Sequence, residues 1–102
     1  MKSFLVFAWL ILLSSSVQAQ QHSYTPPDGF VPDAPTAVKI AEAVLIPIYG
    51  ADTIERQRPF SAILKDGTWT VSGSTPKGTF GGNAVVEISK TDGRVERVSH
   101  TR

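Results

Sequence analysis

The apolar residues of this chain change their spacing once, and that change limits what it can fold into. Ala37, Val38, Ile40, Ala41, Val44, Leu45 and Ile48 recur at spacings of three and four, which sets them along one face of a helix. Beyond Pro59 the apolar positions alternate instead, as they do in strands with one buried face. Asp33 or Thr36 is expected to cap the start of the helix. Pro47 removes a backbone hydrogen bond in the last turn and Gly50 follows as a stop, so the helix is expected to bend or tighten at Ile46 and end near Tyr49. Asp52 to Gln57 has the composition of one further helical turn before Pro59 forces an extended path.

Four strands follow. Phe60, Ala62 and Leu64 alternate with Ser61, Ile63 and Lys65, and Asp66-Gly67 is a two-residue hairpin signal leading into Trp69, Val71 and Gly73. Residues 74–82 form a turn-rich connection to a strand in which Ala84, Val86 and Ile88 face one way. Thr91-Asp92-Gly93 turns the chain into a last strand from Arg94 to His100, where Val95 and Val98 fall on opposite faces unless a bulge lies between them. Trp69 is expected in the core opposite the helix, with a partner-anchoring role as the second reading. The predicted fold class is α+β: one N-terminal amphipathic helix packed on a four-stranded antiparallel meander sheet.

Ahead of the helix, Lys2, the apolar run from Phe4 to Leu13 and the small residues at Val17-Gln18-Ala19 read as a signal peptide over residues 1–19, cleaved after Ala19. At 1.5 Å per residue the apolar run reaches only about half of a ~30 Å hydrocarbon core, so a retained membrane span is the weaker reading. The chain contains no cysteine, which removes both a lipid anchor and a disulfide framework and favours a periplasmic over an extracellular destination. No stable membrane anchor is expected once the leader is gone. Residues 20–29 are then a flexible, proline-rich lead-in and residues 30–102 the folded domain, with Phe30 and Val31 expected to pack against its edge. Without Lys2 nine basic residues balance nine acidic ones, so no long-range field favours nucleic acid.

Chemistry is thinly represented. His22 lies in the lead-in and His100 near the end, and neither adjoins a nucleophile motif. No Cys, no paired His and no calcium-loop pattern is present, so no metal, cofactor or catalytic residue is assigned. Lys77-Gly78-Thr79-Phe80-Gly81-Gly82 lacks the spacing of a phosphate-binding loop and leads into a strand, which makes it a connection that presents Lys77 and Phe80 for recognition. Lys90, Arg94, Arg97 and Arg102 are interleaved with Asp92 and Glu96, a pattern that protects a sheet edge by ion pairs.

Several segments in order carry a family resemblance: Phe30 to Gly50 (FVPDAPTAVKIAEAVLIPIYG), Arg58-Pro59-Phe60, Asp66-Gly67-Thr68-Trp69, Pro76-Lys77-Gly78 with Gly81-Gly82, and Ile88-Ser89-Lys90 with Asp92-Gly93. Together they resemble the NTF2-fold immunity proteins of bacterial polymorphic toxin systems, including those beside Rhs elements. The resemblance implies a reduced NTF2-like or cystatin-like cone and a non-enzymatic protein that binds and blocks the toxic domain of a cognate toxin. It carries over no catalytic residues. A PepSY-like periplasmic binding or inhibitory module is the alternative, on the Asp92-Gly93-Arg94-Val95 turn. An enzyme or small-ligand carrier on the same cone is a third. Arg56 and Arg58 beside the first strand, with Lys77, Phe80 and Asn83 in the long connection, are the candidate partner-binding residues, and the sequence does not set the oligomeric state.

Overall fold

The computed structural model describes residues 22–75 and 81–101; the expected leader, Gln20, Gln21, Lys77, Phe80 and Arg102 lie outside them. Helix α1 spans Ala34–Tyr49 and a short helix α2 spans Ala51–Arg56. Strands β1 (Ser61–Lys65), β2 (Thr68–Ser72), β3 (Ala84–Ser89) and β4 (Val95–His100) form one antiparallel sheet in the order β1-β2-β3-β4. The α+β class and the meander match the expectation from residue spacing.

Local chemistry explains each end of α1. Asp33 is the cap, and Thr36 is its partner: Asp33 Oδ1 accepts hydrogen bonds from Thr36 N at 2.9 Å and Thr36 Oγ1 at 2.5 Å. At the other end Gly50 has φ 94° and its N–H reaches back to the Ile46 carbonyl at 2.8 Å, closing the turn around Pro47. Ala37, Ala41 and Leu45, four residues apart, form the fully buried seam of the helix. They pack on Trp69, Val71, Ala84, Val86 and Ile88 from the inner face of the sheet, and Phe60 and Ile54 belong to the same buried cluster. Each large aliphatic side chain so buried contributes about 1.5–3 kcal/mol.

Turn chemistry sets the sheet register. Asp66 and Gly67 have φ of 50° and 77°, the paired positive values of a type I′ turn, and they place Lys65 opposite Thr68. Inward-facing residues then line up across the strands, with Ala62, Val71, Val86 and Val98 in one row and Leu64, Trp69, Ile88 and Val95 in the next. The second row requires one irregularity. Between Glu87 and Ile88 the pairing with β4 skips Glu96, which brings Val95 onto the same face as Val98. The bulge is what reconciles the odd spacing of the two valines with a single core.

The lead-in is fixed to the sheet before α1 begins. Phe30 N–H donates to the Thr91 carbonyl and Val31 N–H to the Lys90 carbonyl, both at 3.0 Å. Trp69 Nε1–H donates to the Val31 carbonyl at 2.8 Å in the buried core, so the indole is the inward-facing residue expected opposite the helix. Val31 is fully buried, whereas the Phe30 side chain remains half exposed, so one of the two expected anchors carries the packing.

Candidate functional site

One end of the domain gathers α2, the start of β3 and the end of β4 around an open cleft of about 270 Å³. Tyr49, Thr53, Gln57, Gly82, Ala84 and His100 line it. Gln57 builds the floor. Its side-chain Oε1 accepts the Ala84 N–H at 2.7 Å and its backbone carbonyl accepts the Ser74 N–H at 2.7 Å, so the residue that ends α2 joins β2 to β3. Gly73 makes this possible, because a Cβ there would lie 2.5 Å from Gln57 Oε1.

The rim is polar. Tyr49, last residue of α1, brings its hydroxyl to 3.2 Å from His100 Nδ1, and the two rings meet edge to face at 5.9 Å and 84°. Which of the two donates depends on the imidazole tautomer. Thr53 Oγ1 accepts from Arg56 Nη2 at 3.3 Å, which holds the first of the sequence-selected arginines beside the cleft. Asn83 lies in sequence between the lining residues Gly82 and Ala84. Its N–H donates to Thr101 Oγ1 and its carbonyl accepts the Thr101 N–H, both at 2.9 Å, while Oδ1 accepts from Thr75 Oγ1. The connection is therefore clamped on both sides of residues 76–80, which contain Lys77 and Phe80 and lie outside the described residues.

Arg58 is placed differently. Its guanidinium donates through Nε to Glu42 at 2.6 Å and through Nη1 to Glu55 at 2.5 Å, so it joins α1 to α2 at the approach to β1. The hydrogen bond to Glu42, then the charges of Glu42 and Glu55, raise it above the ordinary arginine value. It is committed within the domain, and its remaining capacity for a partner is smaller than that of Arg56.

Sequence reading thus located Arg56 and Asn83 beside the cleft and missed Tyr49, Thr53, Gln57 and Gly82 as lining residues. No local signal marks them, since the contacts that assemble the cleft join residues far apart in the chain, Gln57 to Ala84 and Tyr49 to His100. The cleft offers a phenol, an imidazole and a hydroxyl around a floor built by the Gln57 amide, beside Gly82 and Ala84, a mixture suited to holding one side chain of a partner. Among the described residues no three His, Asp or Glu side chains converge as metal ligands do, and no helix is long and apolar enough to cross a membrane.

A family model described as NTF2 fold immunity protein matches residues 36–102, well over half of the sequence, covering all four strands and nearly all of α1. No curated protein and no solved structure matches the chain.

Proposed function

Because the chain belongs to the NTF2 fold immunity protein family, we propose that it binds a cognate toxin domain and neutralises it by protein–protein contact, without catalysing a reaction. The family match over residues 36–102 carries this reading. The contact surface is the end of the domain that bears the cleft. Arg56 stands at its side on α2 and Asn83 between two of its lining residues. Lys77 and Phe80 fall in the connection between Thr75 and Gly81 that leads to it. Connections carried on a scaffold are where recognition residues concentrate, and a cleft of this size takes one anchoring side chain with a polar rim around it.

Residues 1–19 extend the proposal to a compartment. An exported immunity protein meets toxins that act in or arrive through the periplasm, so protection is directed there rather than at the cytoplasm. The test is survival of cells that make the full sequence together with the toxin domain encoded beside its gene, with that domain sent either to the periplasm or to the cytoplasm. Rescue confined to the periplasmic toxin supports both parts. Rescue confined to the cytoplasmic toxin removes the export part, and rescue in neither removes the immunity reading.

A further inference from the structure

The sheet has two edges, and the chain treats them unequally. On β4 the bulge at Glu96 breaks regular pairing, and Arg94–Glu96 and Arg97–Glu87 ion pairs at 3.2 and 3.7 Å crowd that edge with charge. These are the devices that keep an edge strand from pairing with another chain. β1 has neither. It pairs residue for residue with β2 over its whole length, without a bulge, and its one charge is Lys65 at the end. Ile63 is 68% exposed and Leu64 42% exposed, on opposite faces of the strand.

The hairpin decides which backbone groups β1 offers. In a two-residue type I′ hairpin the closing pair, Lys65 with Thr68, exchanges both hydrogen bonds, and bonding pairs alternate along the ladder. Ser61, Ile63 and Lys65 therefore bond to β2, while the N–H and C=O of Ala62 and Leu64 point away from the sheet. Among the described residues no other backbone group accepts or donates to them.

This edge is complementary to itself. When two copies approach antiparallel with the two-fold axis at Ile63, Ala62 of each faces Leu64 of the other, and the two pairs exchange four backbone hydrogen bonds. Ile63 meets its own copy at the close spacing of a non-bonded pair on the outer face, and Leu64 covers the small Ala62 on the helix face. Lys65 faces Ser61 and not a second lysine, so no like charges are opposed. We infer that β1 is a self-association edge, and that two copies of this chain join their sheets through it. With five residues per strand the contact is smaller than a standard stable interface, so the association is reversible and depends on concentration.

The experiment is sedimentation equilibrium, over a concentration series, of protein purified from cells expressing the full sequence, with amide hydrogen exchange in parallel. The expected result is a mass that doubles with concentration, together with protection of the Ala62 and Leu64 amides that rises in step. Ile63→Lys sets two ammonium groups against each other across the axis and abolishes the doubling, while thermal unfolding of the dilute protein is unchanged because Ile63 is exposed in the monomer. Ala62→Pro, which removes an outward N–H, also abolishes the doubling. A mass that stays at one protomer throughout, or a dimer that survives Ile63→Lys, overturns the inference. So does a monomer whose Ala62 and Leu64 amides are protected only when the toxin domain is added, since the edge then serves that partner instead.

Discussion

Replacing Trp69 by Phe tests whether the indole holds the lead-in to the core. The substitution keeps an aromatic ring but removes the Nε1–H that donates to the Val31 carbonyl at 2.8 Å. Val31 is fully buried, so water does not replace the lost donor, and leaving that carbonyl unpaired costs about 1–3 kcal/mol. The smaller ring adds a cavity term of about 1 kcal/mol. The total is about 2–4 kcal/mol, and at roughly 4–8 °C per kcal/mol for a domain of this size Tm falls by at least about 8 °C. Thermal unfolding followed by far-UV circular dichroism reads it, with Tyr24→Ala as a control, because Tyr24 is 74% exposed. The control is expected to stay within about 0.5 kcal/mol of the parent. A Trp69→Phe protein that melts with the parent would refute the pinning argument and leave the tryptophan available to a partner.

Other consequences follow from the same contacts. Gly73→Ala drives a methyl group into Gln57 and Phe60, whose nearest atoms would lie at 2.5 and 3.1 Å, and is expected to cost about 1–3 kcal/mol by denaturant unfolding. Combining it with Gln57→Ala should cost less than the sum of the two, since the second change removes the nearest contact, at Oε1, while the contacts with Cβ of residue 57 and with Phe60 remain. Asp33→Ala lowers Tm at neutral pH, and the difference from the parent has a defined pH window. Hydrogen bonds from Thr36 hold the Asp33 carboxyl below its ordinary value of about 3.9, so its contribution is complete above that value and is lost as the pH falls through the lower folded value. Asp33→Asn keeps a capping oxygen that does not titrate, so it is more stable than Asp33→Ala at every pH and its difference from the parent changes through the same window. Arg58→Ala is expected to lower Tm by an amount that shrinks at high salt while toxin affinity changes little, whereas Arg56→Ala leaves Tm unchanged and weakens toxin binding, as read by calorimetric titration.

What could be read from residue order alone was whatever is decided locally. The cap at Asp33, the stop at Gly50 and the Asp66-Gly67 turn each rest on neighbours within a few positions, and all three stand where the spacing places them. The helix-to-strand change at Pro59 ordered the elements, and the Asp66-Gly67 and Asp92-Gly93 turn signals with the connection between them left the meander as the simplest arrangement. Val95 and Val98 could be read only conditionally. Their spacing states that a bulge is needed, but Glu96 is selected as the extra residue only once Ile88 and Val86 are in place across the strand. Leu64 follows the inward alternation and is still 42% exposed, because β1 is at the margin of the sheet, a position that periodicity does not encode.

The site was less legible for the same reason. Arg56 and Asn83 stood out as polar residues in connections, but the cleft beside them is made by Tyr49 meeting His100 and Gln57 meeting Ala84. Those encounters exist only after the sheet has formed. Arg58 looked equivalent to Arg56 in sequence, and the fold separates them by supplying Arg58 with two carboxylates.

The most direct test of the immunity reading is a titration of the toxin domain's activity with the purified chain. Neutralisation by contact predicts that activity falls linearly and is lost at one protomer per toxin, and that it returns when the complex is separated. Loss of activity at a small fraction of an equivalent, persisting after the chain is removed, would mean that the chain modifies the toxin chemically and would contradict the account.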